Sequence, residues 1–216
     1  MTSLPPLADQ ARRLVDLGVP GATEALAHAT GESTVRGAPD DALLVVHPTI
    51  AAPSVLTPLL RINGRSGFVV TDMIDVDEFE PIVSLPDSPS YLVGDLSRGE
   101  DMANWSPNEA LPAITARGRT PLTLTEGLHW LLQQPEVLER NGCFMTIASR
   151  RRKPGGRADA RTPAIWFSNG TGRDGPEQRD APKVGWCWAG NRHTWLGFAS
   201  AASRRALTPK RPPSSD

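Results

Sequence analysis

Along the chain, apolar positions fall into two regimes. In the first thirty residues Leu7, Ala11, Leu14, Val15 and Leu17 lie close to one helical face, and Gly18-Val19-Pro20-Gly21 interrupts that period before a second short helix over Ala22–Thr30. A small helical cap over residues 7–30 is predicted. The pattern then turns β-like in Leu43–His47, Gly67–Thr71 and Tyr91–Asp95, each bounded by Pro, Gly, Asn or Asp. Two helices follow, both announced by capping boxes. In Ser106-Pro107-Asn108-Glu109 the hydroxyl and the carboxylate can each accept from an otherwise orphaned amide, with Pro at the first helical position, which predicts a helix from Pro107 to about Ala116. The same device at Thr123-Leu124-Thr125-Glu126 opens a helix with Leu128, Leu131 and Leu132 inward, and a turn from Pro135 ends at Asn141-Gly142. Four β-like runs close the pattern: Cys143–Ser149, Ala164–Ser168, Val184–Trp188 and Thr194–Ala199. The order predicts a single α+β domain over residues 7–203 with a mixed β-sheet and an N-terminal helical cap, between a flexible stretch 1–6 and a disordered tail 204–216.

Composition agrees with a globular domain: 39% hydrophobic and 22% charged residues exclude a disordered or fibrous chain. Charge changes the picture only when it is divided. Residues 1–104 hold 15 acids and 6 bases, residues 105–216 hold 9 acids and 17 bases, and all six Trp lie in the second part. Such a split hints at a site or a partner. The acidic connection Asp72, Asp75, Asp77, Glu78, Glu80 reads as a solvated loop, since a calcium loop needs a Gly and a terminal bidentate Glu that are not at the required spacing. Only three of the basic residues are Lys, a bias typical of GC-rich genomes. The chain opens without a secretory signal and no apolar run approaches the about 20 residues of a membrane helix, so a cytoplasmic protein away from membranes is expected.

The densest segment for chemistry is Lys183–Gly197. On a strand Trp186 and Trp188 share a face and Cys187 takes the other, and a turn at Ala189-Gly190-Asn191 would fold the chain into a hairpin that brings His193 toward Cys187. An imidazolium beside a thiol stabilises the nucleophilic thiolate, so Cys187 and His193 are the candidate catalytic pair, with Asn191, Asp174 or Glu126 to orient the imidazole. Packing of a small buried hydrophobe explains the same cysteine. A zinc site from Cys143, Cys187, His193 and His129 is disfavoured by the lack of a short ligand pair, and no metal or cofactor is expected. Phosphate-loop, dinucleotide and hydrolase-elbow patterns are absent, and Asn169–Gly175, despite its glycines, reads as a turn. The basic loop Arg150–Arg161 and the basic tail, taken with Trp186, Trp188 and Trp195, raise nucleic acid, but the acidic first part of the chain and a sequence pI of about 6.4 disfavour it. Arg117 and Arg119 precede a helix N-terminus that favours an anion, with Glu126 competing for the same amides.

At Trp105-Ser106-Pro107-Asn108-Glu109-Ala110, Arg119-Thr120-Pro121-Leu122-Thr123 with Glu126-Gly127, Cys143-Phe144 with Ser149-Arg150, Gly185-Trp186-Cys187-Trp188-Ala189-Gly190-Asn191 and His193-Thr194-Trp195-Leu196-Gly197, the chain resembles a conserved actinobacterial family of unknown function, from about Leu43 to Arg204. The resemblance implies a single-domain actinobacterial protein and no particular activity. Arg192, where that family is expected to have Pro, and the long loop Arg151–Arg161 depart from it. The leading expectation is recognition of a small anionic ligand in a cleft lined by Trp105, Arg119, Trp186, Trp188, Asn191 and His193, with Glu126 nearby. The alternatives are a Cys/His-dependent transferase or hydrolase using Cys187 or Cys143, and a protein-interaction or self-associating module.

Overall fold

The computed structural model describes residues 3–30 and 41–207. Its helices are α1 (Leu7–Asp16), α2 (Ala22–Ala29), the short α3 (Pro53–Leu56), α4 (Pro107–Ala116) and α5 (Leu124–Gln133). The strands of the two larger sheets are β1 (Ala42–Val46), β2 (Phe68–Val69), β3 (Ser90–Gly94), β4 (Cys143–Met145), β5 (Arg161–Phe167), β6 (Pro182–Trp188), β7 (Leu196–Phe198) and β8 (Ser203–Ala206). The smaller sheet runs β1-β3-β8, antiparallel throughout. The larger runs β7-β4-β5-β6-β2 and is mixed: its central pairs are antiparallel and both edge strands join in parallel. The α+β class holds, as one compact domain whose strands divide between sheets.

Both capping boxes form. Ser106 and Thr123 each accept from the backbone N–H three residues on, and Glu109 and Glu126 reach back to the capping residue's own N–H. Every residue of α5 is buried, because the helix runs between the two sheets. On one side His129 accepts from the Val46 N–H of β1 at 3.2 Å. On the other Trp130 packs on Phe144 of β4, and Gly127 lies so close to the sheet that a Cβ there would meet Thr146 at 2.7 Å. The cap closes the free edge of β1: the buried Gln10 of α1 donates to Ala42 O and accepts from Leu44 N–H, each 2.8–2.9 Å, which supplies the hydrogen bonds an edge strand otherwise offers to another chain.

The larger sheet separates two cores. One face joins Phe144, Ile165 and Val184 to the main core around α5 and β1. The opposite face presents Cys143, Met145, Ala164, Leu196 and Phe198 to Met102 and to Ala110 and Ile114 of α4.

Three expectations change. The hairpin after Trp188 does not form, because the next strand, β7, lies at the far edge of the sheet beside β4, with β4 and β5 between it and β6. Chain expected to fray from Arg204 instead forms β8 against β3, while residues 208–216 lie outside the described residues. Leu4, expected in a flexible stretch, is buried and donates its N–H to Asp41 at 2.8 Å.

Candidate functional site

Where β6 ends, its following loop crosses to the start of α4 rather than turning back. Asn108 N–H donates to Ala189 O and Asn104 N–H to His193 O, both at 3.0 Å, and Arg192 ion-pairs with the Glu109 of the capping box. The hydrogen bonds from Arg192, with those of the box itself, hold the Glu109 pKa at about 2. The loop after β6, which bears Asn191 and His193 and follows Trp188, and the segment before α4, which bears Trp105, therefore meet. Trp105, Trp188 and Trp195 are 38%, 47% and 53% exposed. His193 stacks on Trp195 at 4.7 Å, and Trp186 meets Trp188 edge-on at 4.5 Å.

Cys187 and His193 are not joined. Among the described residues no hydrogen bond links them, and Cys187 packs with Cys143 in the small core under α4. Burial raises both thiols, and for Cys143 the charge of Cys187 adds to it against the pull of Arg98. A pair of desolvated thiols is the opposite of what a nucleophile needs. No three His, Cys, Asp or Glu side chains among the described residues are placed to hold a metal ion.

Arg119 and Glu126 also lie apart from the Trp surface. Arg119 ties two segments together, donating to Ser200 Oγ at 3.0 Å and to Asp95 Oδ2 at 2.8 Å. Glu126 is fully buried and receives the Arg204 guanidinium on both oxygens (2.6 and 2.7 Å) and the Tyr91 hydroxyl at 3.1 Å. Neither is left to greet a ligand.

What sequence reading missed lies on the α4 side of the larger sheet, toward the end of β5. Trp166 and Lys183 face each other in the β5/β6 register. The Trp166 ring lies across Gly185, where a Cβ would come within 2.5 Å of it. Lys183 Nζ rests 4.6 Å from the ring centre of Trp166 and donates to Asp174 Oδ2 at 2.5 Å, and the buried Ser168 hydroxyl donates to the same oxygen at 2.7 Å. Asp174 thereby holds the ammonium in place. Two clefts, of about 330 Å³ and 280 Å³, meet at Trp166 and Asn169. The first extends over Lys183, Asp174 and the exposed Arg173–Asp72 pair; the second runs to Cys143, Arg140 and Trp195. Of the expected cleft residues Trp186 lines the first, and Trp195 connects the second to the exposed Trp surface. The readable signals were a lysine in a chain with only three, and a glycine two residues after it on a strand.

The sequence model of a family of unknown function, DUF5701, matches residues 10–207, and the chain belongs to that family. No curated protein and no solved structure matches it.

Proposed function

We propose that this protein, whose family has no assigned activity, recognises a small organic anion with a flat or apolar body in the groove over Trp166. One observation carries the reading: two clefts share Trp166, and above that ring a lysine ammonium is fixed by Asp174. The combined walls carry three cationic side chains, Arg140, Arg173 and Lys183, against two carboxylates, Asp72 and Asp174. Arg173 and Arg140 sit in exposed ion pairs, which are weak and exchange readily for a ligand carboxylate or phosphate. The adjoining aromatic side chains supply the apolar contact that fixes most small ligands. No helix among the described residues is long and apolar enough to cross a membrane; a cytoplasmic setting, which keeps both thiols reduced, and an actinobacterial source belong to the same reading.

Titration of benzoate, phenyl phosphate and neutral benzamide, followed by tryptophan fluorescence and calorimetry, tests it. The anions are expected to bind and benzamide to bind at least tenfold more weakly, with a similar loss for the anions in Lys183→Met and Trp166→Leu. Equal affinity for benzamide, or undiminished binding in both variants, would reject the reading.

The gathered exposed tryptophans favour a second reading, an aromatic surface for a protein partner or a second copy, since solitary exposed Trp are common but grouped ones mark contacts. Size that grows with protein concentration in the wild type and not in Trp188→Ser supports it. A Cys/His enzyme is the weaker alternative because both thiols are desolvated.

A further inference from the structure

The acidic connection, which the Trp166 groove uses only at Asp72, divides into two roles. Asp75 and Glu78 are held by guanidinium groups: Arg161 and Arg151 reach Asp75 at 2.6 and 3.0 Å, and Arg151 reaches Glu78 at 2.6 Å. Asp77 and Glu80 are not in any ion pair among the described residues. Glu80 lies opposite Arg150 in the pairing of Glu80–Pro81 with Ser149–Arg150, yet the Arg150 guanidinium turns away and donates to Asp159 O at 2.6 Å. Asp77 is oriented by the Ser54 N–H and hydroxyl, at 2.9 and 2.5 Å.

Both carboxylates, neither with a basic partner among the described residues, border a cleft of about 510 Å³ between the loop after β1, the acidic connection and the start of α5. No Lys or Arg lines it, and His47, whose ring it includes, is pushed toward the neutral form by burial against the pull of Asp87. Its apolar walls come from Pro53, Phe79, Pro81, Val83 and Leu85. At its floor Thr125 is 2% exposed, and its hydroxyl, which no hydrogen bond among the described residues engages, lines the cleft.

We propose that this cleft binds a small amine with an apolar body, its ammonium at the Asp77/Glu80 side and a hydroxyl or other polar end at Thr125. Carboxylates without a basic partner beside a low-dielectric wall favour a cation, an apolar body displaces water from the walls, and the floor hydroxyl gains the partner that the protein does not supply. This ligand is opposite in charge to that of the Trp166 groove, so the two sites are separable.

Calorimetric titration of the full chain with tyramine, tyrosol and hydroxyphenylacetate tests the assignment, because the three share a phenol and differ in the charge at the other end. Tyramine is expected to bind at least tenfold more tightly than the neutral and anionic compounds. Glu80→Gln, at an exposed side chain, should weaken tyramine severalfold, and Thr125→Val should weaken it further. Absence of binding by all three at millimolar concentration overturns the proposal, as does equal affinity for all three. Tyramine binding that is unchanged in Asp77→Asn/Glu80→Gln, with native circular dichroism, overturns it too.

Discussion

His129 commits both ring nitrogens to backbone: Nε2 accepts from Val46 N–H and Nδ1–H donates to Thr125 O at 2.9 Å, which requires the neutral ring. Burial holds its pKa at about 4, despite the hydrogen bond to Thr125. The unfolded chain, with an ordinary histidine near 6.5, therefore binds a proton that the folded chain refuses, and stability falls as pH drops from about 6.5 toward about 4. The expected loss is about 2 kcal/mol at about pH 5 and about 3 kcal/mol below pH 4, at ~1.4 kcal/mol per pKa unit. Urea unfolding across that range measures it, and His129→Gln should flatten the slope; an equally steep profile in the variant would assign the effect elsewhere. Glu126 carries a comparable lesson. Its capping role is legible from Thr123 three residues before it, but its partner Arg204 is 78 residues away, in a stretch whose sequence reads as tail. Removing that partner leaves a buried carboxylate without a counter-charge, so Arg204→Met is expected to cost about 3–5 kcal/mol, with part regained in Arg204→Met/Glu126→Gln.

At the level of elements, local signals were read well where the chemistry is local. The boxes at Ser106 and Thr123 place the starts of α4 and α5 because donor and acceptor lie within one turn. What could not be read was which strands become neighbours, and the misplaced partner of β6 is the clearest case. Trp186-Cys187-Trp188 alternates as expected, but an Ala-Gly-Asn turn signal does not reveal that the chain crosses to β4, so the expected Cys187–His193 contact rests on a pairing that the sheet does not make. The setting of Trp166 is hidden in the sequence for the same reason, since its neighbours Lys183 and Gly185 are set by the β5/β6 register. Gly185 tests that arrangement. An added methyl would press on the Trp166 ring at 2.5 Å, so Gly185→Ala should destabilise the protein by about 1–3 kcal/mol and shift tryptophan emission as the ring moves. Wild-type stability and emission together would mean that Trp166 is not seated on the strand.

For the molecule as a whole, the division of charge between the two parts of the chain has an internal resolution. Carboxylates of the acidic connection meet guanidinium groups of the basic loop, where Arg161 bridges Asp75 and Asp159 at 2.6 and 3.0 Å and Arg151 adds Asp75 and Glu78, and Arg173 of the Asn169–Gly175 turn takes Asp72. Arg151 and Arg161 of the loop that looks like a surface for a polyanion are thus turned onto the protein's own acids, while Arg152, Lys153 and Arg157 stay exposed. Burial alone would raise Asp159, but hydrogen bonds from the Arg161 side chain and backbone outweigh it and hold the carboxyl at about 2. Single exposed pairs contribute little, whereas this network is half-buried around Arg161 and Asp159 and shares its charges, so screening should be felt cooperatively. Raising salt from about 20 mM to about 500 mM is expected to lower unfolding stability by about 1–2 kcal/mol, because the Debye length shrinks below the spacing of the outer charges. Asp75→Asn, which removes the carboxylate shared by both arginines, should cost about 2 kcal/mol at low salt and erase most of the salt dependence. If the variant keeps the wild-type salt slope, the two charge blocks are not what holds the acidic connection against the sheet, and the attraction must lie in the packing of Phe79 beneath Arg161.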